Sequence, residues 1–308
     1  MTKRILITQP IDASAMALLE TEDLEIDVWP GPAPMPASEL RARIRGCAGL
    51  ISMLTDPVDA ALMEAGPLRV VAQHAVGVNN IDLDSADALG VAVAHTPGVL
   101  TAATADLAMA LLLSAARRIV EGHDLVRSGG WEGWSPTLLC GMELDGATLG
   151  VVGMGRIGAA VARRAEAFGM RVIHHNRTSG CGLDMLLAES DVVTLHCPLT
   201  PETHHLIDAD ALAAMKDTAI LINTARGPVV DEAALVHALT TGGIAAAGLD
   251  VFEEEPRIHP GLVGLSNVVM APHLGSATVA TRRKMGHMVA EDLMRGLRGE
   301  PLAHAVRR

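Results

Sequence analysis

The stretch "TLGVVGMGRIGAAVARRAEAFGMRVIHHNRTSG" (148–180) decides the fold. An apolar run over 148–152 reads as a strand. It meets Gly153, Gly155 and Gly158 in a GxGxxG array, and an Ala/Arg-rich helical pattern and a second strand (171–175) follow. Glycines alone often mark only turns. Placed between an apolar strand and a helix, they form the fingerprint of a βαβ unit that binds a dinucleotide. Gly153 permits the tight turn, Gly155 lets a pyrophosphate approach, and Gly158 lets helix and strand pack closely. The helix N-terminus adds free N–H groups and a partial positive charge. The contacts expected from this loop are Gly153, Met154, Gly155, Arg156, Ile157 and Gly158.

The second strand runs into Asn176, Arg177 and Thr178. An NAD site usually places an acid there, about 20 residues past the loop, to bind the ribose hydroxyls. Without a carboxylate a 2′-phosphate is not repelled. Arg177 can pair with it and Thr178 can donate a hydrogen bond. The ending therefore predicts that NADP(H) is preferred, with NAD(H) possible. Taken singly, Arg177 could be an ordinary exposed arginine.

Working outward, short β-branched runs alternate with Ala/Leu-rich helical patterns. The first set is 4–8, 24–28, 48–52, 68–72 and 91–94, with helices around 13–20 and 38–45. Asp56-Pro57 reads as a helix cap followed by proline at the first helical position. A long helix over about 101–118 interrupts the rhythm. A second set follows at 148–152, 171–175, 191–195, 219–223, 245–250 and 267–271. Such alternation implies parallel sheets covered on both faces. The fold class is α/β: two doubly wound, Rossmann-like domains with the active site in the cleft between them. The last long helix, about 276–297, is expected to return to the first domain. The predicted boundaries are 1–97 plus 277–308 for the substrate-binding domain and 98–276 for the dinucleotide-binding domain.

Composition narrows the function. The chain has 308 residues, enough for two domains, and 49% of them are hydrophobic. Tyrosine is absent, and the formal net charge is −12. Few aromatics and a negative balance argue against a nucleic-acid partner. Cys47, Cys140, Cys181 and Cys197 form no CxxC pair, so neither a metal site nor a disulfide framework is expected. No apolar run suits a signal peptide or a membrane span, which points to the cytoplasm.

Ligands of open α/β sheets bind beyond the carboxyl ends of the strands. Three segments put polar residues there: "NTARGPVVDE" (223–232) offers Arg226, "GLDVFEEEP" (248–256) offers Glu253, Glu254 and Glu255, and "APHLGSAT" (271–278) offers His273. Arginine can grip a carboxylate with two prongs. Histidine can protonate a carbonyl oxygen as hydride arrives. A helix following His273 would disfavour the imidazolium, and a nearby carboxylate would restore it. Singly, each has a dull reading: a surface ion pair, a solvated acidic loop, a structural histidine. His196, also at a strand end, competes with His273.

These motifs, with "VGVNNID" (76–82), "TPGVLTAATADLAMALLLSAARR" (96–118), "GGWEGWSP" (129–136) and "HCPLTPETHHLI" (196–207), resemble the D-isomer-specific 2-hydroxyacid dehydrogenases, and within them the glyoxylate/hydroxypyruvate reductases. The resemblance spans nearly the whole chain. It implies that Arg226 binds substrate, that His273 is the acid/base, and that Glu255 is its partner. It also implies that Asp250 meets the nicotinamide carboxamide. Cys197, Pro198, Thr224, Ala225, His273 and Gly275 complete the cofactor site. Substrate would meet Leu54, Val76, Gly77, Arg226 and His273. A homodimer through the cofactor domain is implied, with Trp134 reaching the partner's substrate pocket. Trp131 is expected to pin its own loop to a core.

The expected activity is NADPH-preferring reduction of glyoxylate and hydroxypyruvate to glycolate and D-glycerate. Alternatives are a reductase of a longer sugar acid such as 2-ketogluconate, or a dinucleotide-sensing, corepressor-like regulator. The negative charge and lack of appended tails weigh against the regulator. The chain departs from the family after Thr178. Only "SGCG" (179–182) precedes the next helix, roughly ten residues short of the usual pattern, so the strand flanking the adenine side is expected to be absent or reduced.

Overall fold

The computed structural model describes residues 3–31 and 33–306. The chain divides into two compact units. One comprises the described residues of Met1–Leu100 and Ser276–Arg308, the other Thr101–Gly275.

The first unit carries β1 (Lys3–Ile7), α1 (Ala13–Glu20), β2 (Leu24–Val28), α2 (Ala37–Arg43) and β3 (Cys47–Ser52). Then come α3 (Ala60–Glu64), β4 (Val70–Gln73), α4 (Leu83–Leu89) and β5 (Ala92–Ala94). Its sheet runs β2-β1-β3-β4-β5, with every neighbouring pair parallel. The period-2 alternation of a strand sends Ile5 and Ile7 to one face and Leu6 to the other, so each face has its own apolar core.

The second unit opens with α5 (Thr101–Ala116) and α6 (Ile119–Arg127), followed by β6 (Thr148–Val152), α7 (Arg156–Ala167) and β7 (Arg171–His175). It continues through α8 (Leu183–Glu189), β8 (Val192–Leu195), α9 (Ala209–Ala213), β9 (Ile220–Asn223) and α10 (Glu232–Thr241). It closes with β10 (Ala246–Leu249), α11 (Pro260–Val263) and β11 (Val268–Met270). Its parallel sheet runs β11-β10-β9-β8-β6-β7. Val192 and Val193 again point to opposite faces, into two separate cores.

The final helix, α12 (Val279–Arg298), belongs to the first unit. Val289, Ala290, Leu293 and Leu297 bury its inner stripe against β1, β3 and β4.

The shortened segment after Thr178 has a clear outcome. Among the described residues β7 is the edge of its sheet. In place of a further strand, residues 176–181 turn back on β7: Asn176 N–H donates to Ser179 O (2.9 Å) and Cys181 N–H to His174 O (2.9 Å). Gly180 sits at φ +91°, where a Cβ would lie 2.0 Å from His174 O, so this hairpin-like cap requires glycine.

Two local expectations fail. Asp56 does not cap a helix. The cap of α3 is Asp59, which accepts from Leu62 N–H, while Asp56 is buried and bonded elsewhere. Trp131 is not pinned to a core: it is 54% exposed, because neither α6 nor the loop after it offers a buried surface in this chain.

Candidate active site

Arg226, Glu255 and His273 follow β9, β10 and β11, three adjacent strands of one sheet, at their carboxyl ends. Sheet order, not sequence proximity, brings them together. His273 Nδ1 donates to Glu255 Oε2 at 2.8 Å, and the other carboxylate oxygen accepts Phe252 N–H at 3.1 Å. Glu255 is thus held at both oxygens. Burial alone would raise its pKa. The bond to His273 and the charge on that ring, together with Phe252 N–H and Arg226, outweigh burial and hold the carboxyl below its ordinary value.

Arg226 is largely withdrawn from water, which pulls its pKa below the ordinary arginine value, while the charge of Glu255 works the other way. Its Nη1 donates to Ala225 O at 2.7 Å, fixing the planar head. The next residue explains how its loop meets that of Glu255. A Cβ on Gly227 would lie 1.9 Å from the carbonyl of Phe252 and 2.4 Å from Glu253 N, so the peptide before Glu253 passes directly over this glycine. A second tie is reciprocal: Glu253 N–H donates to Glu232 Oε1 (2.8 Å) and Glu232 N–H to Glu253 Oε2 (3.1 Å). His205 completes it at 2.5 Å from Glu253 Oε1.

His273 itself is held in a left-handed conformation (φ 54°), with its N–H donating to Asp250 O at 2.9 Å. Asp250 locks the turn from below, its oxygens accepting Leu274 N–H (2.6 Å) and Gly275 N–H (2.8 Å). Burial raises the Asp250 pKa, and these backbone donors offset part of that.

His196 is a different kind of histidine. Its Nε2 lies 2.9 Å from Thr194 Oγ1 and its Nδ1 3.5 Å from Thr224 Oγ1, and desolvation pulls its pKa down to about 4. Such a ring is neutral at pH 7 and makes a poor proton donor.

The glycine loop fits a dinucleotide. Gly155 caps α7 with no side-chain hydrogen bond, leaving the N–H groups of the first turn without a capping partner. A Cβ on Gly155 would meet nothing within 4 Å, so packing within the protein does not require glycine there. Gly153 (φ +96°) and Gly158 are required: their Cβ atoms would lie 2.6 Å from Cys197 N and 2.2 Å from Gly153 O. Met154 lies in the loop between them, and Arg156 and Ile157 open α7.

Asn176 has a role that strand-end reasoning did not supply. Its Oδ1 accepts Met154 N–H at 2.7 Å and its Nδ2 donates to Ser179 Oγ at 3.2 Å, coupling the glycine loop to the shortened turn. Arg177 and Thr178 are exposed beside it. Cys197 and Pro198 follow β8, and burial raises the Cys197 thiol to about 11, so it is inert. Thr224 and Ala225 follow β9 and are buried, with Ala225 N–H donating to Asn223 Oδ1 at 3.0 Å.

In the first unit, Leu54 lies in the loop after β3, and Val76 and Gly77 in the loop after β4. Val76 O lies 2.9 Å from His95 Nδ1. Trp134 is 83% exposed, the most open large apolar side chain described. Ile119, Val126, Trp131 and Leu138 are exposed as well, and these four line an open cavity of about 450 Å³ along α6 and its loop. The sequence reading missed α6 altogether. Its amphipathic spacing could have revealed it, but its apolar stripe faces no core.

The described residues contain no cluster able to hold a metal ion, and no helix long and apolar enough to cross a membrane. The profile of the family described as D-isomer specific 2-hydroxyacid dehydrogenase, NAD binding domain, matches residues 109–275. A protein named glyoxylate reductase from Korarchaeum cryptofilum is 49% identical, over 97% of this chain and 94% of its own length. The crystal structure of the TT0316 protein from Thermus thermophilus is 48% identical and superimposes with a TM-score of 0.95, covering 99% of this chain and 100% of that one. An NADPH-dependent glyoxylate/hydroxypyruvate reductase from Sinorhizobium meliloti, solved with NADP and malonate, is 35% identical. It gives a TM-score of 0.89, covering 100% of this chain and 99% of its own.

Proposed function

From the premise that this chain belongs to the D-isomer-specific 2-hydroxyacid dehydrogenases, and is an NAD(P)-dependent oxidoreductase, we propose that it reduces glyoxylate and hydroxypyruvate to glycolate and D-glycerate with a preference for NADPH. The observation that carries this reading is the bond from His273 to Glu255 beside the withdrawn Arg226, on three neighbouring strand ends. The names of relatives support glyoxylate as substrate and NADPH as reductant.

When bound, the reduced nicotinamide supplies hydride to the carbonyl carbon. Arg226 grips the substrate carboxylate, joined by the backbone amides of Val76 and Gly77. Leu54 lines the substrate pocket. His273, oriented by Glu255 through Nδ1, delivers a proton from Nε2 to the carbonyl oxygen as negative charge builds there. Asp250 keeps the His273 turn rigid and faces the nicotinamide carboxamide. The uncapped start of α7 takes the pyrophosphate, and Arg177 and Thr178 take the 2′-phosphate.

The apolar surface of α6 and its loop is covered by a second copy of the chain. Trp134 then enters the substrate pocket of the partner, and the protein is a cytoplasmic homodimer. The deciding experiment is a panel of 2-oxo acids, from glyoxylate to 2-ketogluconate, assayed with NADPH and NADH. Turnover of short acids, fastest with NADPH, is expected. Absence of turnover with every acid overturns the reading, and a fully active monomer overturns the role of Trp134.

A further inference from the structure

The carboxyl edge of the first unit's sheet is polar where an apolar one would suffice. Thr8 directly follows β1, Ser52 ends β3, Gln73 ends β4 and Asp56 lies in the loop after β3; Asp56 is 1% exposed and the other three 0%. Burying such groups without partners is costly, because each gives up its hydrogen bonds to water. Here all four have partners. Thr8 Oγ1 (2.5 Å) and Met53 N–H (2.6 Å) both donate to Asp56 Oδ2. Ser52 Oγ donates to Gln73 Oε1 at 2.6 Å, and Gln73 Nε2 donates to Asn80 Oδ1 at 2.8 Å and to Gly77 O at 3.3 Å.

Asn80 joins the two halves. Its Nδ2 donates to Asp56 O (2.8 Å) and Met53 O (3.1 Å), while its Oδ1 is held by Gln73. One planar side chain thereby ties the turn bearing Leu54 to the turn bearing Val76 and Gly77. Two backbone bonds run alongside, Val58 N–H to Asn80 O (2.9 Å) and Asp82 N–H to Val58 O (2.9 Å), but both lie beyond Met53–Asp56 and do not hold the turn that bears Leu54. A network needed only to bury polar groups could be replaced by apolar residues. This one is built between two loops and spans both.

We propose that Asn80, backed by Gln73 and Asp56, is a positioning residue that sets the distance between Leu54 and the Val76–Gly77 amides, and so sets the size of 2-oxo acid accepted. The proposal rests on the reading that these three residues meet the substrate. Loosening the tie leaves the hydride and proton groups untouched but relaxes the carboxylate donors and the pocket wall, so it weakens substrate binding more than it slows the chemical step.

The test uses Asn80→Ala and the isosteric Asn80→Asp, which keeps the acceptor for Gln73 but loses both donors. Expected are a KM for glyoxylate raised about tenfold or more, kcat within about threefold, an unchanged NADPH affinity, and a hydroxypyruvate-to-glyoxylate preference moved several-fold. A folded variant with unchanged KM and preference overturns the proposal. Hydrogen exchange of the free protein supplies a readout independent of activity. Amides of 53–56 and 74–78 should exchange faster together in both variants, and acceleration in one segment alone overturns the coupling. If the unmodified protein turns over no 2-oxo acid, the functional reading fails while the exchange result still decides whether Asn80 couples the loops.

Discussion

His273 Nδ1 lies 2.8 Å from Glu255 Oε2, which leaves Nε2 as the ring nitrogen able to carry the transferred proton. Replacing His273 with Asn removes that proton and should lower kcat by about 10²–10⁴-fold with little change in cofactor affinity. His196→Asn should leave the chemical step nearly intact, because that ring is already neutral and engaged by Thr194 and Thr224. Single-turnover reduction measured for both variants checks the assignment, and the opposite pattern would exchange the two roles.

Glu255→Gln should lower kcat and remove the acidic limb that protonation of this carboxyl gives the pH profile for reduction. The bond and charge of His273, with Phe252 N–H and Arg226, hold Glu255 below the ordinary carboxylate range against its burial, so its grip on the His273 ring is present at neutral pH and is lost as pH falls through that lowered value. A profile of kcat/KM for glyoxylate reads this directly, and an acidic limb unchanged in a folded Gln variant would remove Glu255 from the role.

Gly227→Ala should cripple catalysis without touching a reacting group. The new methyl would lie 1.9 Å from the Phe252 carbonyl, so the loop carrying Glu255 must move away from Arg226. We expect kcat to fall by about ten- to a hundredfold. Wild-type kcat in a folded variant would show that the loop relocates harmlessly.

Asn176→Asp with Arg177→Ser should reverse the cofactor preference. Aspartate can still accept Met154 N–H, as Asn176 does at 2.7 Å, so the glycine loop keeps its anchor. A charged hydrogen bond from Arg177 to a 2′-phosphate is worth about 1.5–3 kcal/mol, or roughly ten- to a hundredfold in kcat/KM. Exposure of Arg177 puts the expected value at the low end at physiological salt. Equal use of NADPH and NADH by the unmodified enzyme at low ionic strength would show that Arg177 does not meet the phosphate.

His74 should make the protein acid-sensitive. Burial first, and the charge of Arg282 second, pull its pKa from 6.5 down to about 4. The folded state therefore favours the neutral ring. The resulting stability, on the order of 3 kcal/mol, is fully present above the unfolded value near 6.5 and is lost as pH falls toward about 4. Urea unfolding across that window should show a smaller loss for His74→Phe than for the wild type, and identical slopes would exclude the contribution.

Reading along the chain was enough for the two parallel-sheet units, the glycine loop between β6 and α7, and the placing of Arg226, Glu255 and His273 at strand ends. These depend on signals that are local and periodic. Strand periodicity placed β6 and β7 at the limits the structure shows, and the glycines at 153, 155 and 158 serve a turn, an open approach and a close packing whose spacing is fixed by backbone geometry. Tertiary structure alone decided the rest, because it depends on which distant atoms come to share one buried space. Asp56 looked like a cap since Asp-Pro is a cap signal, yet Thr8 and Met53 N–H claim its carboxylate in the core. Asn176 looked like an absent acid, yet it ties the glycine loop to the shortened turn. Gly227 carried no motif beyond its neighbour Arg226, and only the passage of the Phe252 peptide over it shows why a side chain has no room. A buried polar group takes whichever partner the fold delivers, and no spacing along the chain encodes that delivery.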